Sequence, residues 1–192
     1  MHKNQTERDA IAIITARGGS KRIPRKNIKD FCGKPMIAYP ITAALDAGIF
    51  DEVMVSTEDP EIASIALKYG AAVPFLRSAA AADDYATTAE VLTEVIQTYQ
   101  KIGQFFARAC CIYPTAPFVT PEKLKAAMEL LQEEHTEAVV PVTAFSFPPL
   151  RGMYIRDGSL QYCSPQYADC RSQDLETMYH DCGQFYCFKP DV

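Results

Sequence analysis

Apolar and polar residues alternate along the chain in a pattern that predicts strands separated by helices. Short apolar segments predict buried strands at Ala10–Ala16, Val53–Val55, Ala72–Leu76, Ala109–Tyr113 and Ala138–Thr143. Between them, helices are predicted from about Met36 to Ala47, from Asp59-Pro60 to Tyr69, from Thr87 or Thr88 to Lys101, and from Thr120 to Glu134. Apolar strands alternating with helices indicate a parallel-rich α/β sheet covered on both faces. Ligands of such sheets bind at the carboxyl ends of the strands.

The alternation stops at Phe147. Met153–Tyr162 predicts a hairpin that turns at Asp157-Gly158, because that dipeptide suits a two-residue turn. Residues 171–181 are polar and aromatic without a clear period, and Gln184–Phe188 predicts a late strand.

Composition indicates one globular domain over residues 1–192. The formal net charge is −5, which argues against broad nucleic-acid binding. No apolar run is long enough to span a membrane, and the polar N-terminus lacks a signal core, so we expect a cytoplasmic protein. Seven scattered cysteines without a CxxC pair favour buried free thiols over a zinc site formed with His180.

The most distinctive segment follows the first strand. Residues 16–27 have the pattern A-R-G-G-S-K-R-I-P-x-K-N, and six cations lie in or just beyond this loop: Arg17, Lys21, Arg22, Arg25, Lys26 and Lys29. Glycine allows backbone N–H groups to approach an anion, and Arg and Lys supply positive charge. The loop is neither a Walker A nor a Rossmann fingerprint. From charge alone, a solvated surface or a nucleic-acid patch stays open.

The ordered pattern, however, resembles the signature of the CMP-sialic acid synthetase family of cytidylyltransferases. Further similar segments are Val55–Asp59, Leu76-Arg77 followed by Asp84, and Pro114–Pro117. The segment from Arg171 to Tyr186 looks most like one branch, the pseudaminic acid cytidylyltransferases, which serve bacterial surface and flagellar glycan synthesis.

This resemblance implies a three-layer α/β/α sandwich with a Rossmann-like sheet, of the nucleotide-diphospho-sugar transferase type. It also implies a homodimer with a small protruding segment, residues 147–168. The implied reaction transfers CMP from CTP to an acidic nine-carbon sugar and releases pyrophosphate, with Mg²⁺ as cofactor. Neither nucleic acid nor membrane is an expected partner.

Site residues follow from the same resemblance. The implied catalytic residues are Arg17, Lys21 and Lys26. The implied nucleotide-binding residues are Ala16, Arg17, Gly18, Gly19, Ser20, Lys21, Lys26, Asn27, Arg77, Ala86, Thr88 and Thr115. The implied sugar-binding residues are Tyr113, Arg171, Gln173, Tyr179, His180, Asp181, Gln184 and Tyr186. Arg171 is the candidate partner of the sugar carboxylate.

Some of the residues singled out above could instead have a purely structural role. Arg77 could form a surface ion pair, and Asp83-Asp84 could be a helix-start pair favoured by the dipole. Tyr113 and Tyr186 could be core aromatics, and His180 could be structural.

One departure from the family concerns the metal. The family's later Asp-x-Asp pair is absent from this sequence, so the chain is either truncated before it or holds its metal otherwise, and the metal ligands stay unknown. Two alternative functions stay open: a cytidylyltransferase for sialic or legionaminic acid, and, because of the missing pair, a nucleotide-binding module without turnover.

Overall fold

The computed structural model of the chain describes residues 6–20, 23–83 and 86–190. Unit 1 contains the described residues within Met1–Val140 and Gly183–Val192, and unit 2 is Pro141–Cys182. The predicted protruding segment, residues 147–168, lies inside unit 2. That the whole chain acts as one domain stays a prediction.

The four predicted helices form, and most of the predicted strands form with them. The helices are α1 (Ala38–Ala47), α2 (Pro60–Lys68), α3 (Thr88–Lys101) and α4 (Pro121–Leu130). The strands are β1 (Thr6–Thr15), β2 (Asp30–Phe31), β3 (Lys34–Pro35), β4 (Glu52–Ser56), β5 (Gln104–Ile112), β6 (Ala138–Val139), β7 (Val142–Ala144), β8 (Met153–Arg156), β9 (Ser159–Tyr162), β10 (Tyr179–Asp181) and β11 (Phe185–Phe188).

Strand β1 is the centre of unit 1 because both of its faces are buried. Alternate side chains of a strand point to opposite faces. Ala12 and Ile14 therefore pack with α1, α2 and α4, whereas Ile11 and Ile13 pack with Val95 and other side chains of α3. Unit 1 is thus a three-layer α/β/α arrangement, as predicted.

The main sheet has the order β4-β1-β5-β11-β6. Strands β4 and β5 lie parallel to β1, whereas β11 lies antiparallel to both β5 and β6. Because β1, β4 and β5 run the same way, the segments after Thr15, Ser56 and Ile112 begin at one edge of the sheet.

Local side chains cap the starts of α3 and α4. Thr87 and Glu90 form a capping box at α3, and the Thr120 side chain accepts a hydrogen bond from the Lys123 N–H at α4. Helix α1 ends at Ala47 and is capped by Gly48, whose φ of 62° suits a residue without Cβ.

The predicted third strand, Ala72–Leu76, is wrong. Only Ala72 forms a bridge to β4: its N–H donates to Val53 O at 2.8 Å, and its carbonyl accepts from Val55 N at 2.9 Å. Pro74 has no N–H with which to continue the ladder.

Two other predicted boundaries also need correction. The segment Ala138–Thr143 is not one strand, because β6 ends at Val139 and a separate strand, β7, begins after Pro141. Helix α4 ends at Leu130 rather than Glu134, and tight turns follow in which Gln132 N donates to Glu129 O at 3.0 Å.

Unit 2 is built from two antiparallel strand pairs, β7 with β10 and β8 with β9. The β8–β9 hairpin turns at Asp157 and Gly158, with φ values of 49° and 76°, as the sequence predicts. No helix in the described part of the chain is long and apolar enough to cross a membrane.

Candidate active site

A cleft of about 320 Å³ opens in unit 1 beyond the carboxyl ends of β1, β4 and β5. It brings together many of the predicted site residues: Arg17, Ser20, Lys26, Asn27, Arg77, Ala86, Thr88, Tyr113 and Thr115. These residues come from four separate segments, so their convergence is a product of the parallel sheet. Lys21, the third predicted catalytic residue, lies outside the described residues, as do Arg22 and Asp84.

Two of the predicted nucleotide-binding residues have backbone N–H groups that bond within the protein. Ala16 is fully buried and its N–H donates to Ser56 O at 3.0 Å, which extends the β1–β4 pairing. The Gly18 N–H donates to Glu58 Oε1 at 2.6 Å. A ligand phosphate therefore cannot use either N–H in this structure. Gly19 is exposed, and a Cβ there would meet no atom within 4 Å.

Gly18 is required for a reason that the sequence does not show. A Cβ at Gly18 would lie 2.4 Å from Asp59 Oδ2. Asp59 is the N-cap of α2 and accepts hydrogen bonds from Glu61 N at 2.9 Å and Ile62 N at 3.1 Å. The loop thus packs closely against the start of α2.

Arg25 does not point its charge at an anion site, contrary to the expectation for the six cations. Its guanidinium forms ion pairs with Asp59 and Glu61. The hydrogen bonds from Arg25, aided by backbone N–H groups of α2, lower the pKa of Asp59. Arg25 itself has a φ of 53°, so the chain turns sharply where this contact forms.

Arg77 is a buried cation of the cleft. Only 7% of its surface is exposed, its Nε donates to Ser56 Oγ at 3.0 Å, and its Nη2 donates to Ser56 O at 2.6 Å. Among the described residues it forms no ion pair, so the surface ion-pair interpretation is wrong. Burial lowers the pKa of Arg77, while the negative charges of Glu58 and Glu94 oppose that shift.

Asn27 offers a buried acceptor. Its Nδ2 donates to Arg17 O at 2.8 Å, which fixes the orientation of the amide, and its Oδ1 is buried with no hydrogen-bond partner in the described structure. Phosphate oxygens are acceptors, so Oδ1 suits a donor such as a hydroxyl or amino group instead.

One wall of the cleft joins α3 to β5 and β11. The Thr88 Oγ1 and Tyr113 hydroxyl lie 3.4 Å apart, and the rings of Tyr113 and Tyr186 pack edge to face at 5.4 Å. Tyr113 N donates to Gln184 O at 2.9 Å. Tyr113 and Tyr186 are half-buried. Unit 1 thus groups three of the predicted sugar-binding residues beside the cleft.

The other predicted sugar-binding residues belong to unit 2 and are exposed: Arg171, Gln173, Tyr179, His180 and Asp181. Arg171 forms a two-pronged ion pair with Asp174, with Nε–Oδ2 at 2.7 Å and Nη2–Oδ1 at 3.2 Å. His180 packs against Phe145, with ring centroids 4.7 Å apart, and its Nδ1 lies 3.0 Å from Asp181 O.

The cysteines are free, but only some are buried. Cys110, Cys111 and Cys187 are buried as expected, and burial raises the pKa of Cys111 to about 12. Cys32 and Cys163 are exposed. In the described ranges no group of three or more His, Cys, Asp or Glu side chains could hold a metal ion.

Several cleft residues were not predicted: Thr15, Ala81, Asp83, Val91 and Pro114. Asp83 precedes the first residue of α3 by five positions and lines the cleft, so the helix-start interpretation is wrong for it. A further unpredicted residue, Glu58, is two positions beyond β4, within a segment singled out by resemblance alone. The charges of that segment did not by themselves indicate a role for Glu58.

A helix-covered sheet whose parallel strands end at a basic cleft is typical of α/β proteins that bind nucleotides. The sequence matches the cytidylyltransferase family over residues 11–185. The chain therefore belongs to the cytidylyltransferase family and is a nucleotidyltransferase.

Known proteins refine this placement. Over 177 residues the chain is 45% identical to pseudaminic acid cytidylyltransferase of Campylobacter jejuni, covering 92% of this chain and 76% of that protein. It is 38% identical over 139 residues to CMP-N,N'-diacetyllegionaminic acid synthase of Legionella pneumophila, covering 72% of this chain and 60% of that protein. The fold is similar to that of CMP:2-keto-3-deoxy-manno-octonic acid synthetase solved with CTP, with a TM-score of 0.73 and 20% identity over 96% of this chain and 76% of that one.

Proposed function

We propose that this chain transfers CMP from CTP to pseudaminic acid, giving CMP-pseudaminic acid and pyrophosphate. The observation that carries the proposal is the 45% identity, over nearly the whole chain, to an enzyme named for that reaction. The cleft at the carboxyl edge of the sheet supports it, because cations and a buried arginine meet there.

The reaction requires the sugar's anomeric hydroxyl to attack the α-phosphate of CTP. Such transfers depend mainly on positioning and on neutralising phosphate charge. We assign the triphosphate to Arg17, Ser20 and Lys26. Lys21, which lies outside the described residues, is assigned to it as well. Arg77 and Thr88 are assigned to the cytosine side, and the buried Asn27 Oδ1 to a donor group of the nucleotide.

Magnesium is proposed as a counter-ion that arrives with CTP. The described residues offer no cluster of protein ligands for a metal. Mg²⁺ commonly binds through substrate phosphates and keeps several waters. We therefore assign the ion to the substrate and give no residue a metal-binding role.

For the sugar, we propose that Arg171 binds the carboxylate. Its present partner, Asp174, is exposed, and exposed ion pairs contribute little to stability. A substrate carboxylate can therefore replace Asp174 at little free-energy cost. Gln173, Tyr179, His180 and Asp181 are proposed to contact the polar groups of the sugar.

We further propose that the chain acts as a homodimer through unit 2. Ile155 and Leu160 face each other across the hairpin and are 75% and 65% exposed. A small unit that leaves such side chains in solvent suits an apolar partner surface. Ile155→Asp should give the monomer mass in light scattering, whereas Gln161→Asp, also exposed on the hairpin, should leave the dimer intact.

The cytoplasm is the proposed location, and bacterial surface or flagellar glycans are the proposed destination of the product. All seven cysteines are unpaired in the structure, which is typical of a reducing compartment.

A second candidate substrate is legionaminic acid, because the Legionella pneumophila relative named for it is 38% identical. Pyrophosphate release should be measured with four nucleoside triphosphates and with pseudaminic, legionaminic and sialic acids. We expect turnover with CTP and pseudaminic acid. Equal rates with all four nucleotides would contradict base recognition, and equal rates with sialic acid would contradict the assigned acceptor. CTP binding without turnover would indicate a nucleotide-binding module.

Arg171→Ala tests the sugar site. Loss of a charge-assisted contact of about 1.5–3 kcal/mol should raise the apparent KM for the sugar at least roughly tenfold. The KM for CTP should not change. Arg156→Ala is the matched control. Arg156 is also an exposed arginine of unit 2, but it is not one of the predicted sugar-binding residues, and its guanidinium stacks on the Tyr154 ring. An unchanged sugar KM in Arg171→Ala would remove Arg171 from the site.

A further inference from the structure

Residues 77–83 form one wall of the cleft and belong to neither a helix nor a strand. Three of them line the cleft: Arg77, Ala81 and Asp83. Because no helix or sheet ladder holds this segment, its position depends on turn hydrogen bonds and on side-chain contacts.

Glu94 of α3 binds this segment at Ser78. Its Oε1 accepts the Ser78 N–H at 2.9 Å, and its Oε2 accepts the Ser78 hydroxyl. Both carboxylate oxygens thus bond to one residue that lies sixteen positions earlier in the chain. Two hydrogen bonds from a carboxylate fix the orientation of the bound group as well as its position. We call this pair of hydrogen bonds the Ser78–Glu94 clamp.

The Ser78 hydroxyl extends this restraint to the turn that follows. Ser78 Oγ accepts the Ala81 N–H at 3.2 Å, and Ser78 O accepts the Ala82 N–H at 3.0 Å. Ala81 is 7% exposed and lines the cleft. One hydroxyl therefore donates to Glu94 and accepts from the turn, so the position of Ala81 depends on Glu94.

The other end of the segment is fixed at the sheet. The Arg77 N–H donates to Thr57 O at 2.9 Å, and the Arg77 guanidinium donates to Ser56. Ser78 is the next residue. The end of β4 thus holds the segment at Arg77, and α3 holds it at Ser78.

Helix α3 lines the same cleft at Thr88, whereas Glu94 is not among the residues that line it. We propose that Glu94 is a positioning residue of the nucleotide site: by binding Ser78, it keeps residues 77–83 against α3 in the arrangement that receives the base side of CTP. The proposal rests on the proposed function, because that function assigns Arg77 and Thr88 to the cytosine.

Loss of the clamp should change how often the wall is in place rather than which contacts it makes. The apparent affinity of a ligand falls by the fraction of molecules that have the binding-competent arrangement. Once CTP is bound, the arrangement is the same as in wild type. The KM for CTP should therefore rise while kcat changes little, and a ligand of the phosphate side alone should not sense the change.

Glu94→Ala removes the clamp, and calorimetry with CMP and with pyrophosphate separates the two sides of the cleft. We expect CMP affinity to fall about fivefold and pyrophosphate affinity to change less than about twofold. In the transfer assay, the KM for CTP should rise about fivefold, with kcat within about twofold of wild type. Gln97→Ala is the matched control, because Gln97 is an exposed polar residue nearly one turn further along α3, and it should match wild type.

Glu94→Gln separates hydrogen bonding from charge. Glutamine carries no charge but keeps an oxygen that can accept the Ser78 N–H. Its CMP affinity should lie between those of wild type and Glu94→Ala. A loss equal to that of Glu94→Ala would indicate an effect of charge and would contradict the clamp.

Ser78→Ala is a second, independent variant. It removes the hydroxyl bond to Glu94 and the acceptor for the Ala81 N–H, so it should also weaken CMP binding. In the double variant with Glu94→Ala, the loss should be smaller than the product of the single losses, because both changes act on the same hydrogen bond.

Hydrogen exchange tests the clamp without any ligand. The Ser78 and Ala81 N–H groups should exchange faster in Glu94→Ala than in wild type, because each is held by the clamp directly or through Ser78 Oγ. Exchange in β1 should not change. Faster exchange in β1 as well would indicate a general loss of stability and would contradict a local positioning role.

Unchanged CMP affinity in Glu94→Ala, or equal losses of CMP and pyrophosphate affinity, would overturn the proposal. If Glu94→Ala does not fold, Ser78→Ala decides, and CMP affinity equal to that of wild type would then overturn it. If wild type binds CMP but releases no pyrophosphate with any acidic sugar, the proposed function fails and calorimetry still decides the role of Glu94. If wild type does not bind CMP, both proposals fail.

Discussion

A methyl group at Gly18 should destabilise the protein through one contact. The Cβ of Gly18→Ala would lie 2.4 Å from Asp59 Oδ2 and 3.1 Å from Asp59 Cγ. Asp59 cannot move away freely, because it caps α2 and pairs with Arg25. Overpacking of this kind costs about 1–3 kcal/mol, which for a chain of this size lowers the melting temperature by roughly 2–12 °C.

Gly19→Ala is the matched control. Gly19 is the next residue of the same loop, yet its Cβ would meet nothing within 4 Å. We expect its melting temperature to equal that of wild type. Both variants should be compared by thermal and urea unfolding, with circular dichroism as the probe.

A double-mutant cycle locates the contact. Asp59→Ala alone should lose about 0.5–2 kcal/mol of helix capping. It also removes the oxygen that Gly18→Ala would strike, so the double variant should be more stable than the sum of the single changes predicts, by at least about 0.5 kcal/mol. Additive losses, or a Gly18→Ala variant that melts like wild type, would refute this account of the loop.

Three other changes test the fold and the site. Thr87→Ala should destabilise the protein by about 1 kcal/mol in urea unfolding, because it removes the cap of α3, whereas Thr93→Ala on its exposed face should not. Arg25 lowers the pKa of Asp59, so that carboxylate stabilises the fold above its ordinary pKa of 3.8 and loses this effect as pH falls through the lower folded value. The stability gap between wild type and Asp59→Asn should therefore narrow in acid; a constant gap would contradict the linkage. Arg17→Ala should slow CMP transfer at least about tenfold with little change in melting temperature, and the reverse pattern would make Arg17 structural.

The basic loop shows where sequence reasoning reached its limit. Sequence placed a nucleotide site after β1, and the structure does bring Arg17, Lys26 and Arg77 into one cleft. Sequence could not show that Arg25 faces α2 instead. Charge along a chain does not report which cation meets a carboxylate that is more than thirty positions away, as Asp59 is from Arg25.

Local patterns determined the elements of this protein. Apolar runs fixed the buried strands, a Thr-x-x-Glu box fixed the start of α3, and Asp157-Gly158 fixed a hairpin, because each depends on neighbours in the sequence. Tertiary structure alone decided the pairing of β11 against β5 and the burial of Arg77 against Ser56. Strand direction, edge position and side-chain burial depend on contacts between distant segments, and those contacts exist only once the sheet has formed.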